Sequence, residues 1–294
     1  MRGTRIRKIL VPLSGTANDS ACLSMGLTLG KAIEAHVEAC FVRPNPETAI
    51  PYLGIYPDNQ EEFREEYRRR ALKTGTRAAA KSRRDFNKAC KRLEMPKVGK
   101  PQEPGSVSAH WREVVGRAEH EIPEAAKMSD LTVFAGPLTD YNRLAPWLLE
   151  RTLLESGRPL LFSPDGTFEI PSNCVAIAWD GSVSATRAIG AALPFLKGAE
   201  RIEIFSVEEA FEEAANPAAL VDYLAWHGIK SHAHIVESEE NHNVRQTLLT
   251  AAEDVSAGLL VMGGYAHSRF GEVVFGGTTL HAIRNAELPI FMMH

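Results

Sequence analysis

The sequence has little of what most functional classes need. Only four cysteines occur in 294 residues, at positions 22, 40, 90 and 174, and none forms a CxxC pair. That excludes a disulfide framework and a cysteine-based zinc site, and it fits small buried thiols in a reducing compartment. No apolar run approaches the ~18 residues of a membrane span. The basic N-terminus is followed only by ILVPL, too short for a signal sequence. The net charge is −4, with no basic excess, which argues against an electrostatic nucleic-acid binder. Gly-x-Ser-x-Gly and His-Glu-x-x-His are both missing, and no pairing of residues identifies a general base. The composition, 44% apolar and 24% charged, is that of a cytoplasmic globular protein with a well-buried core.

What is present is a repeat. Lys8–Gly15 (KILVPLSG) resembles Val175–Ser182 (VAIAWDGS), about 165 positions later. Val37–Val42 matches Ile202–Val207, Leu131–Gly136 matches Leu259–Gly264, and Arg158–Phe162 matches Leu288–Met292, in the same order. Each piece is a short apolar run, as in strands buried on both faces of a parallel sheet. Helix-like stretches alternate with them: Ser20 to Ala35, Ser184 to Leu196, Val244 to Val255 and Thr278 to Asn285. The alternation predicts two tandem α/β units, each an open parallel five-stranded sheet with flanking helices. The units span 1–165 and 170–294, with turn chemistry at Pro164-Asp165-Gly166 between them. Arg158–Phe162 and Leu288–Met292 close each unit, and pairing these apolar edges would hold the units as an intramolecular pseudo-dimer. A further homodimer is compatible with this arrangement.

The first unit carries about 37 extra residues, within an insertion at about 44–110. Its centre reads as one charged helix from about Asn59 to Leu93, with 12 Lys/Arg against 6 Asp/Glu between Glu61 and Glu94. Segment 95–110, with Pro96, Pro101 and Pro104, reads as a loop.

The segment with most chemistry runs from Met262 to Thr279, MGGYAHSRFGEVVFGGTT. Gly263 and Gly264 end a strand, where glycine lets the backbone turn and approach a ligand. Gly276-Gly277-Thr278-Thr279 opens a helix, whose free N–H groups favour phosphate; a threonine N-cap would explain the same residues structurally. The repeat, the Asp180-Gly181-Ser182 turn and this double-glycine loop together resemble the universal stress protein family in its tandem form. The resemblance spans essentially the whole chain. It implies a nucleotide-responsive binding protein of the stress response, with ATP or another adenine nucleotide, with Mg²⁺, as ligand. The family's nucleotide binders use Gly-x2-Gly-x9-Gly-Ser/Thr. Gly263 and Gly276 fit the first and third positions, Ala266 stands at the second, and Gly277 stands at the hydroxyl position with Thr278 next. The resemblance puts Asp180 beside the ribose and Val207 against the adenine, and assigns the phosphates to Gly263, Gly264, Ala266, Gly276, Gly277, Thr278 and Thr279. Ala178 and Met262 are expected in the same nucleotide site. In the first unit Ser14 stands where Asp180 does, and 138–151 contains no Gly-Gly-Thr, so that site is expected to be lost.

Three other patterns were weighed. Gly75–Ser82 resembles a P-loop but sits inside a helical pattern. Ser14–Ser20 resembles the pyrophosphatase loop of ATP-consuming enzymes, against an N-cap by Asp19 or Ser20. His232-x-His234 puts two imidazoles on one strand face, without a third metal ligand in sight. Two further readings stand beside the nucleotide-responsive one. The first is an ATP-consuming enzyme using Ser14–Ser20. The second is a ligand-free module that docks a protein partner through the first unit and its long helix, where Arg68-Arg69-Arg70, Lys73 and Arg77 cluster.

Overall fold

The computed structural model describes residues 6–46, 60–100, 103, 105–136, 146–208, 215–237, 244–264, 283 and 285–294. The first part of the chain runs β1 (Lys8–Leu13), α1 (Asp19–Ala32), β2 (His36–Pro44), α2 (Gln60–Leu93), β3 (Ser108–Gly116), α3 (Ala118–Lys127), β4 (Leu131–Ala135), α4 (Pro146–Ser156) and β5 (Leu160–Ser163). The second runs β6 (Cys174–Ala178), α5 (Val183–Leu196), β7 (Arg201–Glu208), α6 (Ala218–Trp226), β8 (His232–Glu237), α7 (Val244–Asp254), β9 (Leu260–Gly263) and β10 (Ile290–Met293).

The apolar runs become central strands because both of their faces are covered. β4, β5 and β6 are buried at every residue. The sheet order is β3-β2-β1-β4-β5-β10-β9-β6-β7-β8. Each half repeats one strand order, mirrored about the centre, and within each half the pairs are parallel. The halves meet through an antiparallel pair, with Phe162 opposite Ile290, Leu161 opposite Phe291 and Leu160 opposite Met292. The two five-stranded sheets predicted from sequence are therefore joined edge to edge as one ten-stranded sheet, through the two segments expected to pair. Phe195 of α5 packs edge-on against Phe291 and Phe168 behind this junction.

Two readings need correction. The segment 95–110 is not loop throughout: β3 begins at Ser108, and Lys97 bridges to Ala109 outside the sheet. α1 is not capped by Asp19 or Ser20. Asn18 holds the N-cap position without a capping side-chain hydrogen bond to the helix, and Asp19 turns its carboxylate back into the preceding loop. The predicted helix from Thr278 lies largely outside the described residues. All four cysteines are free and buried, and burial pushes the thiols of Cys22 and Cys40 up to about 12 and that of Cys90 to about 11. No helix among the described residues is long and apolar enough to cross a membrane.

Candidate functional site

In the second half β6 lies between β7 and β9, so its carboxyl end opens on the point where the strand order reverses, which is where open α/β sheets bind ligands. Ala178 ends β6, opposite Phe205, and Trp179 N donates to Phe205 O at 2.9 Å. Beyond it the chain turns through Asp180 and Gly181, the latter at φ +72°, a backbone region that favours glycine. Asp180 is exposed; its Oδ1 accepts from Ser182 N at 2.9 Å. Ser182 Oγ accepts from Ala185 N at 3.1 Å and caps α5, whose first turn thus faces the same opening. Val207 lies near the end of β7, paired with Val236, and Met262 and Gly263 end β9. Ala178, Asp180, Val207, Met262 and Gly263 are thus gathered at one end of the sheet. Ala266, Gly276, Gly277, Thr278 and Thr279 lie outside the described residues.

The paired glycines have packing reasons that the sequence did not reveal. A Cβ on Gly263 would stand 2.7 Å from Ala185 N and from Ser184 Oγ, so glycine lets the end of β9 lie on the N-terminus of α5. A Cβ on Gly264 would stand 2.5 Å from Leu153 Cδ2, so this glycine admits a side chain of α4 from the other half. Gly264 is tied down as well: its N–H donates to Met293 O at 2.9 Å, and its carbonyl lies 2.9 Å from His294 Nδ1.

The corresponding place in the first half is closed. The Asp19 carboxylate, fully buried, accepts from Ser14 N (2.8 Å), Gly15 N (2.9 Å) and Ser14 Oγ (3.0 Å), and also from Ser82 Oγ of α2. Lys81 of α2 donates to Thr16 O at 3.1 Å. The inserted helix lies directly on the loop: a Cβ on Gly15 would be 2.6 Å from Ala78 Cβ. The N–H groups of Ser14 and Gly15 are occupied by the protein's own carboxylate.

Sequence reasoning also missed a pair of buried glutamates. Glu38 and Glu203 stand at matching positions of β2 and β7. Glu38 meets Lys8 Nζ at 3.1 Å and Arg112 Nη1 at 3.3 Å. Burial opposes its ionisation, yet these two cations outweigh that and hold its carboxyl below the usual value. Glu203 meets His234 Nε2 at 2.6 Å, Arg201 Nε at 3.3 Å and His232 Nδ1 at 3.7 Å, and His234 stacks on Phe205. The two histidines are exposed, and they are held by this carboxylate. No group of three or more residues disposed to hold a metal ion occurs among the described residues.

Neither a protein-family model nor any curated protein matches the sequence. Solved structures do match the fold. A universal stress protein from Archaeoglobus fulgidus aligns over 98% of this chain and 96% of its own, with TM-score 0.60 and 18% identity. A putative universal stress protein from Pseudomonas aeruginosa aligns over 98% and 93%, with TM-score 0.53 and 13% identity. A protein of unknown function from the same species gives 98%, 92%, 0.53 and 13%. The overlap is near-complete in each case: the chain has the universal stress protein fold.

Proposed function

We propose that the chain is a tandem universal stress protein, an adenine-nucleotide-responsive binding protein with one site, in its second half. The observation that carries this is the asymmetry between the halves. The first site is filled by Asp19 and covered by α2, whereas Asp180 stands exposed at the switch point beside the end of β9. A carboxylate there suits ribose hydroxyls or a Mg²⁺ ion, and the Gly-Gly-Thr-Thr segment that follows in sequence suits phosphate. Binding would alter a surface that a protein partner reads, in a stress response. The units of this reading are 1–165 and 170–294, and the free buried thiols suit a cytoplasmic location.

Calorimetric titration with ATP and Mg²⁺ tests the site. Ala266 and Gly277 depart from the family pattern, so modest affinity is expected. Asp180→Ala and Gly276→Val should each weaken binding about tenfold or more. Equal binding by both variants would move the site elsewhere, and no binding at millimolar nucleotide would remove the nucleotide from the proposal. The second reading would then take its place: a protein partner docking on the exposed basic face of α2, around Arg68, Arg69 and Arg70. With Asp19 seated in it, the Ser14–Ser20 loop gives little support to an ATP-consuming enzyme.

A further inference from the structure

The insertion that distinguishes the first half builds a cavity of its own, in the opposite half of the sheet from the Asp180 crevice. It measures about 270 Å³ and lies between the second half of α2, the first residues of β3, and the Lys97–Gly99 segment. That segment is fixed to the sheet edge by Val98 N to Ala109 O (2.9 Å) and Ala109 N to Pro96 O (2.8 Å). α2 contributes Arg83, Phe86 and Asn87, spaced so that they share one helix face. β3 contributes His110 and Trp111.

The lining is of one electrical sign. Arg83, Lys97 and His110 are its titratable residues, and it contains no acid. Among the described residues Arg83 has no hydrogen bond or ion pair, so its guanidinium fork is unspent, a geometry that suits a carboxylate or phosphate. Lys97 Nζ donates to Asn87 Oδ1 at 2.9 Å, which orients the ammonium and leaves it further donors. His110 Nδ1 donates to Val98 O at 2.9 Å. The inner wall is aromatic: Trp111 lies 5.9 Å from Phe86 and stacks on Phe41 at 6.2 Å, between centroids. Its indole nitrogen is buried without a hydrogen-bond partner among the described residues. Among the described residues the second half has no counterpart. α6 is 9 residues long against 34 for α2, and the register that pairs Glu38 with His110 and Glu203 with His232 puts Ala233 where Trp111 stands.

We propose that this cavity binds a compact aromatic oxyanion, its ring against Trp111 and Phe86 and its charged group between Arg83 and Lys97. The volume is just under the ~300 Å³ at which pockets for drug-sized ligands begin, so one small ring system with one oxyanion fills it. The probe is 1-naphthyl phosphate, titrated into the full chain by calorimetry. Saturable binding below 1 mM is expected. Arg83→Ala and Lys97→Ala should each weaken it about tenfold, 1-naphthol and inorganic phosphate should each bind at least about tenfold more weakly, and Asp180→Ala should have no effect. The proposal is overturned by absence of binding at 1 mM, by wild-type affinity in the Arg83→Ala, Lys97→Ala double variant, by equal binding of either half of the probe, or by loss of binding in Asp180→Ala alone.

Discussion

At the scale of single residues, the buried carboxylates decide most. Glu38 is 8% exposed, and three strands contribute to its ion pairs: its own, β1 through Lys8 and β3 through Arg112. Because its folded pKa lies below the ordinary 4.5, its pairing contributes stability above that value and loses it as pH falls through the folded pKa. Glu38→Gln should therefore be less stable than the parent at pH 7, by about 1–3 kcal/mol, since it leaves two cations short of a partner. The gap should narrow below about pH 4.5, where the unfolded chain's carboxylate takes up a proton first and the folded parent's follows at lower pH. Urea denaturation of both proteins at pH 7 and pH 4 measures it; a gap independent of pH would contradict the ion-pair account. The repeat displayed Glu38 and Glu203 at matching positions, but nothing local named Arg112 and His234 as partners, which lie 74 and 31 residues away in the chain. Gly263 and Gly264 were legible as special, and the reason was not: the neighbours that exclude a Cβ belong to α5 and, across the junction, to α4.

At the scale of elements, legibility follows burial. Central strands were visible because an apolar run has one meaning in a doubly covered sheet. The edge strands β3 (SAHWREVVG) and β8 (HAHIVE) were not matched to each other, because an edge need not be apolar, and five of the six β8 residues are exposed. The charged helix was visible through its pattern. Its packing stripe was not, since Gly75, Ala79, Ser82, Phe86, Ala89 and Cys90 are mostly small residues that carry little hydropathy. That stripe brings Ala78 onto Gly15, at φ +80°. Gly15→Ala would put a Cβ on a left-handed residue, at about 1–2 kcal/mol, and drive it into the helix, at about 1–3 kcal/mol more. A loss of about 2–5 kcal/mol in chemical denaturation is expected, along with faster amide exchange in α2. Near-neutral stability would mean that α2 does not bear on this loop.

At the scale of the molecule, the junction between halves is the main structural commitment. Ile290, Phe291 and Met292 are completely buried, and β10 gains a full set of ladder partners only because β5 runs antiparallel beside it. Gly264 and Leu153 interlock on the same seam. The halves thus share a core as well as backbone hydrogen bonds. Separating them would expose an apolar strand edge of the kind that proteins otherwise blunt with charge, proline or cover. Residues 168–294 expressed alone should therefore self-associate, two copies of β10 pairing antiparallel in place of β5. Light scattering coupled to size exclusion should report a dimer at micromolar concentration. Phe291→Lys in the same fragment should shift it toward monomer or unfold it, because a charge in the ladder centre cannot be buried unpaired. A monomer that stays folded and does not associate would show that β10 can end a sheet on its own. The antiparallel joint would then be a consequence of the two halves being tethered, not a requirement of either one.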